Sequence, residues 1–521
     1  MATTRPERRR AARLARAGAS GVALLSIGVA ASAATSPAVE PSVSVSAVAT
    51  DNSQLTTADQ RRADLIGDVN AGLLLHSIGP RVTLTGDAGL EFIGYARHTN
   101  GDAVLPRGSI DLNTTLVERT LFFDGNLSAT RTRNDPLAAQ SDTASTANTV
   151  STVSLRASPY FLHEFTPTLS AAARSDTTIT RNKSADPDGT PAPVGSTNRH
   201  DTASLVRKPE PFGLSIDALH DDTTYQRGGG SVLRTDSLQA TVDTALPGDL
   251  VAGLVGGYEH AVYTGIVQND TTYGASLQWH PSSRTSLDAD AEHHYFGTGW
   301  NLHLRDRMPL SMVDLTLTRM ASASASSFGV SGPDSNPAAL LGAILSARMP
   351  DAASTDSAVD TATQAGTVPS SFSAPLQITS ESPQLATRAT LNFVYNGLRN
   401  SVYASTWYQK AVALPGAAAT PLATTFDSRQ SGGSLGLNHR LSPEMAAAAQ
   451  VEWSQIEALG ARAGDSSHQL SGTLSLTERL GPRTSLSCGV RRFISRVVLN
   501  STSTTTDVHE DQAFAGLRVQ Y

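Results

Sequence analysis

The sequence holds one cysteine, Cys488, so no intrachain disulfide is possible. Period-2 alternation puts Cys488 on an apolar strand face, as a small buried or lipid-facing side chain. Hydrophobic residues make up only 39%, below the usual globular share. Beyond the N-terminus no segment approaches the length of an apolar membrane helix. Basic charge is also short. The whole chain carries a net −7, and six arginines against one glutamate fall in the first 33 residues, so the remainder stands at −12. That balance excludes a broadly basic nucleic-acid surface. No G-x-S-x-G elbow occurs, and Gly228-Gly229-Gly230 has no following Lys or helix with which to cradle a phosphate.

What the sequence does have begins with an export signal. Arg5, Arg8, Arg9, Arg10, Arg13 and Arg16 precede a small apolar run from Gly18 to Ala31. Ala31-Ser32-Ala33 then supplies an A-x-A cleavage site. Residues 1–33 are therefore expected to be a signal peptide and 34–521 the mature barrel. Only residues 34–40 separate the cleavage site from the first strand, too few for an N-terminal plug domain.

Strict alternation fills most of the mature chain. Val82, Leu84, Gly86, Ala88, Leu90 and Phe92 share one face, against Thr83, Thr85, Asp87 and Glu91 on the other. Many such segments exceed the five or six residues usual in soluble strands and suit the roughly nine to eleven of a tilted membrane strand. Lipid tolerates only helices and closed barrels, so these strands must close. Approximate strands run from 41–50 and 64–76 to 484–498 and 508–521. The prediction is an all-β chain: a large antiparallel transmembrane β-barrel of about 20–22 strands.

The connections support this. Links after even-numbered strands are tight, such as Ser77-Ile78-Gly79, Pro281-Ser282-Ser283 and Asn396-Gly397. Links after odd-numbered strands are often long and polar: 51–63, 97–107, 133–148, 182–200, 322–385 and 412–429. Short periplasmic turns and long extracellular loops are the outer-membrane pattern. Segment 322–385 is a long Ala/Ser/Pro-rich loop inserted within the barrel. It has a short helical stretch in Pro337 to Met349, and it either folds over or into the lumen or stays disordered. At the C-terminus, Phe514-x-Gly516-x-x-Val519-x-Tyr521 resembles the signal read by the barrel assembly machinery.

Several short motifs resemble the PEP-CTERM system-associated outer-membrane β-barrel family, found beside exosortase and exopolysaccharide genes. They are Pro41-Ser42-Val43-Ser44-Val45 leading to Thr50-Asp51-Asn52, and Trp279-x-Pro281-x-x-Arg284-Thr285-x-Leu287 continuing to Tyr295-Phe296-Gly297. The Leu441-Ser442-Pro443 and Leu480-Gly481-Pro482-Arg483-Thr484-Ser485 turns complete them. His294 stands where that family usually has Arg. The resemblance implies a part in exporting or organising exopolysaccharide, with export components as partners; it carries over no catalytic residue.

The densest charge constellation is a pair of ladders. Asp288, Asp290 and Glu292, with His294, share one strand face; His303, Arg305 and Arg307 share a face of the next. Both should face the lumen, since Arg or Lys facing lipid costs about 2–4 kcal/mol at the midplane. Cross-strand ion pairs that stiffen the wall are one reading, and a charged constriction that selects solutes is the other. Alternate strand residues project in parallel, which disfavours a metal site. No cofactor or nucleic-acid partner is expected. The functional expectation is a conduit or assembly component at the bacterial outer membrane, in contact with its lipid, and not an enzyme. A scaffold barrel without transport and a barrel enzyme acting on lipid or glycan remain open beside it.

Overall fold

The computed structural model describes residues 38–133, 135–139, 149–184, 195–225, 231–263, 265–322, 336–346, 355, 358–359, 362, 368–369, 372–376, 383–415, 427–481, 483–500 and 503–520. The expected signal peptide, Gly228-Gly229-Gly230, Pro482, Tyr521 and much of 322–385 lie outside them.

Twenty-two strands form one sheet. The first eight are β1 (Ala38–Thr50), β2 (Asp64–Ile78), β3 (Val82–Tyr95), β4 (Ala103–Val117), β5 (Leu121–Arg133), β6 (Thr149–Thr166), β7 (Leu169–Ser184) and β8 (Ser196–Arg207). Then come β9 (Phe212–Tyr225), β10 (Ser231–Leu246), β11 (Leu250–Tyr263), β12 (Ile266–Ser282), β13 (Thr285–His294), β14 (Gly297–Arg307) and β15 (Ser311–Ser322). The last seven are β16 (Gln384–Asn396), β17 (Asn400–Ala413), β18 (Ser428–Arg440), β19 (Met445–Ala458), β20 (Ser466–Gly481), β21 (Thr484–Leu499) and β22 (Thr504–Gln520). Each pairs antiparallel with the next, and β1 pairs with β22 from Ser42↔Gln520 to Thr50↔Gln512, so the sheet closes. Closure satisfies both edges, the condition lipid imposes on a spanning sheet. A helix, α1 (Pro337–Leu345), belongs to the segment between β15 and β16.

Alternation explains the wall. In β1, Val43 and Val45 are exposed on the outside while Ser42, Ser44 and Ser46 turn inward. The same outer belt carries Leu238, Leu254 (72% exposed), Leu474 and Val490. A water-soluble protein does not bare an apolar band of this extent, whereas a lipid bilayer covers it at no cost. Cys488 is exposed on this outer face, two residues from Val490.

The links after even-numbered strands contain two to four residues each, and those after odd-numbered strands reach 323–383. The β10–β11 turn shows how the short ones work. Pro247 starts it, and Gly248 takes φ +86, a conformation that favours glycine. The long-loop ends of several strands extend past their expected limits. β4 starts at Ala103 rather than 108, β8 at Ser196 rather than 201, and β12 at Ile266 rather than 270. These ends rise beyond the apolar belt, where neither face need be hydrophobic. The outer wall of β7–β10 carries polar pairs among its outward residues. Ser175 donates to Asp201 (2.5 Å), and His220 and Asp236 pair at 2.6 Å.

Candidate functional site

The lumen is the site, and it is occupied. Asn336 caps α1 by accepting from the Ala339 amide (2.7 Å), and Pro337 opens the helix with its φ already set. Leu340, Leu341 and Ile344 are buried against Met312, Val394 and Tyr403. Those three wall residues sit on the inward faces of β15, β16 and β17, close to the short-turn end. The described helix of the insertion therefore lies inside the barrel near the short-turn mouth. An apolar helix of this kind is stable only when buried on most sides.

Polar contacts fasten the same segment. Arg307 Nη1 donates to the Ala343 carbonyl at the end of α1 (3.3 Å), which also accepts from Ser346 Oγ (3.1 Å). Trp407 Nε1 donates to Ser373 Oγ (3.1 Å). Gln430 grips the chain with both amide atoms: Oε1 accepts from the Leu376 amide (2.9 Å), and Nε2 donates to the Leu376 carbonyl (3.3 Å). That double bond imitates a strand neighbour and satisfies backbone groups that have left water. A cavity of about 120 Å³ remains beside this segment, between Pro369 and Phe372 and the inner wall of β17–β20.

The long-loop mouth is also narrowed. Inward Val48, Ile66, Ile93, Tyr95 and Leu105 cluster there with Phe514. Asn52 Nδ2 donates to the Thr56 carbonyl (2.7 Å) and the His509 carbonyl (3.0 Å), tying the 51–63 link to β22. Tyr263 donates to the Pro415 carbonyl (3.1 Å), and Gln469 Nε2 to the Ala138 carbonyl (3.4 Å), so two further links reach across the ring. Burial pushes the Tyr295 phenol up, and the Glu259 carboxylate adds to the shift.

The two charge ladders lie on adjacent strands in register, with Asp288 opposite His303 and Asp290 opposite Asn301. His303 hydrogen-bonds (3.0 Å) and Arg305 ion-pairs (3.2 Å) with Asp314 on β15, a residue only 1% exposed. Asp290 accepts from Asn301 Nδ2 (3.1 Å). Glu292 accepts from Gln239 Nε2 (2.8 Å), which reaches it from three strands away. Gly257 and Gly274 make that reach possible. A Cβ at Gly257 would stand 2.8 Å from Gln239 Cγ, and one at Gly274 would stand 2.7 Å from Glu292 Cγ. Sequence reading marked the ladders but missed Asp314 and Gln239, whose roles depend on strand register. Gly257→Val is expected to lower the unfolding free energy by about 1–3 kcal/mol through overpacking. Chemical denaturation in detergent micelles checks this; unchanged stability would mean the glycine floor is dispensable.

Of the C-terminal residues that resemble an assembly signal, Phe514 and Gly516 turn inward and Val519 outward. The Phe514 ring occupies the space a Cβ on Gly489 would need, 3.0 Å from its Cε1.

A closed antiparallel ring with an apolar outside and a polar, occupied inside defines a transmembrane β-barrel of the outer-membrane class. The protein is an outer-membrane protein. No family profile and no curated protein matches the chain. Similar solved structures include the siderophore receptor PiuA from Acinetobacter baumannii, at 8% identity, 92% of this chain, 82% of that chain and TM-score 0.46. Another is the ferric citrate transporter FecA, at 10% identity, 92% and 79% coverage and TM-score 0.46. A third is the outer membrane protein opdK from Pseudomonas aeruginosa, at 8% identity, 93% and 99% coverage and TM-score 0.31. The class rests on this chain's own closed ring.

Proposed function

We propose that the barrel is a gated conduit for a polar solute, and that the segment between β15 and β16 is its gate. The observation that carries this is the apolar helix α1 seated on Met312, Val394 and Tyr403 inside the ring. A wall built only as a scaffold has no need of a separate, side-chain-fastened insert in its bore. The resemblance noted in the sequence supports exopolysaccharide, or a component of its assembly, as the cargo. The test is conductance in planar bilayers with and without 323–383. An equal, negligible current from both would leave the scaffold reading in its place. Exopolysaccharide secretion by a deletion strain tests the cargo, and normal secretion would remove it.

The same reading predicts ion preference. The insert covers the inner wall of β15–β18, where Asn392, Ser405, Trp407 and Gln430 are buried. On β9–β13 the inward carboxylates Asp217, Asp243, Asp288, Asp290 and Glu292 remain partly exposed. Carboxylate-lined passages favour cations. Residual current is expected to show a reversal potential shifted toward the cation in a potassium chloride gradient. The triple change Asp288→Asn, Asp290→Asn and Glu292→Gln should reduce that shift. A shift toward chloride would contradict the assignment of the open side.

A further inference from the structure

The β13–β14 hairpin at the long-loop rim turns in two residues, Tyr295 and Phe296. His294, the last residue of β13, shares the inward face of Asp290 and Glu292. Its ring stacks on Phe296, with centroids 4.9 Å apart and planes 11° from parallel. Gly299 leaves the room for it, since a Cβ there would stand 2.8 Å from His294 Cδ2. Each ring nitrogen faces a carboxylate. Nδ1 lies 3.2 Å from Glu259 Oε2 on β11, and Nε2 lies 3.7 Å from Glu292 Oε2. A neutral imidazole donates from one nitrogen only, whereas the imidazolium donates from both. Only the protonated ring therefore suits both partners. Glu259 is 4% exposed, and among the described residues His294 is the only basic side chain paired with it.

The other charges around this ring have one sign. Asp290 lies below Glu292 on the same face, and Asp270 on β12 stands opposite Glu259 in register. β14 brings Gly297 and Gly299 alongside and no charge. Gln239 from β10 donates to Glu292 (2.8 Å), and the Tyr295 amide donates to Glu259 (3.4 Å). Loss of the His294 proton thus leaves Glu259 and Glu292 without a cation between them. A buried, uncompensated carboxylate is relieved by reaching water, and here that means opening the hairpin. The hairpin is joined to the root of the insert. Tyr295 and Phe296 pack with Ala321 and Leu385 against the cluster of Leu233, Tyr263 and Leu414. Ala321 and Leu385 are register partners at the ends of β15 and β16, where the chain leaves and re-enters the wall. The Leu414 amide donates to the Pro383 carbonyl (3.0 Å), and the Tyr263 hydroxyl donates to the Pro415 carbonyl (3.1 Å). Opening the hairpin strips one side from this cluster.

We infer that His294 is a proton-operated latch on the root of the insert. Charged, it ties the hairpin to Glu259 and Glu292 and the root stays packed. Neutral, it lets the hairpin go and the root loosens. Acid therefore closes the latch and a rise in pH releases it, across the range in which an imidazole changes charge. The effect on current rests on the gate reading above; the latch itself does not.

The experiment is hydrogen–deuterium exchange of the full protein in detergent micelles at about pH 5.5 and about pH 8.5, either side of the imidazole range, corrected for intrinsic rates. In wild type, peptides covering Tyr295–Phe296 and Pro383–Leu385 are expected to exchange about tenfold faster at the higher pH, a local opening short of unfolding. His294→Gln should exchange fast at both. Glu259→Gln with Glu292→Gln should stay protected at both, because carboxamides need no cation. Heat-modifiable gel mobility reports whether each variant has closed its barrel; if His294→Gln has not, the carboxamide pair carries the comparison. In planar bilayers the wild-type current should rise with pH, and the His294→Gln current should not follow pH. Equal exchange at both pH values in wild type would overturn the latch, as would an unchanged pH response in His294→Gln. A pH response in exchange with no current at either pH would sustain the latch and remove the gate reading instead.

Discussion

Removal of residues 323–383 is expected to turn a barrel of low residual conductance into an open pore. Ser322 and Gln384 are register partners across β15 and β16, so a short turn can rejoin the strands without moving either. What leaves is a lumen body held by two kinds of contact. Leu340, Leu341 and Ile344 supply buried apolar area, each side chain contributing about 1.5–3 kcal/mol when fully buried. Arg307, Trp407 and Gln430 supply the polar ties. The 22-strand ladder is untouched, so heat-modifiable mobility should persist while current rises. A single change gives an independent check. Ile344→Asp places an unpaired carboxylate among Met312, Val394 and Tyr403, and burying an uncompensated charge costs several kcal/mol or forces the segment out. Planar-bilayer recordings of both variants should show longer and larger openings than wild type. Closed, silent barrels from both would refute the gate.

The largest effect on stability is expected from a charge placed against lipid. Leu254→Arg puts a guanidinium on the most open part of the belt on β11. The expected loss is about 2–4 kcal/mol of folding free energy, the cost of Arg near the bilayer midplane. Ser215→Arg is the matched control on β9. That position turns inward beside Asp217 and near Asp243, where a cation finds carboxylates instead of hydrocarbon. Reversible urea unfolding in lipid vesicles should separate the two by most of that difference. Equal stability would mean that the faces of β9 and β11 have been assigned the wrong way round.

The strands were largely readable because their cause is local. One face meets hydrocarbon and the other water, so every second residue reports it, as Val43 and Val45 do against Ser42, Ser44 and Ser46. The strand ends above the belt were hidden because that contrast vanishes there, as in Ile266 to Asn269. The inserted helix was legible from Pro337 and the apolar run that follows it. Its depth in the lumen was not, because the contacts that set it join residues far apart in sequence. Gln430 and Leu376 are 54 positions apart, and nothing in either neighbourhood announces the bond. The same holds for Gln239 and Glu292, joined over a floor of two glycines that each look unremarkable alone. Both ladder rows were visible from composition, whereas the choice of Asp314 as partner follows only from the offset of β14 against β15.

The seam between β1 and β22 sets an order of events. Every other hydrogen-bonded neighbour in the ring is supplied by the adjacent stretch of chain, but Thr50 meets Glu510 across 460 positions (2.7 Å between Oγ1 and Oε1). Until the last strand is delivered, two raw edges must be shielded from one another's copies, since an uncovered edge recruits strands from neighbouring molecules. A product stopped short by even one hairpin keeps both edges bare for its whole lifetime.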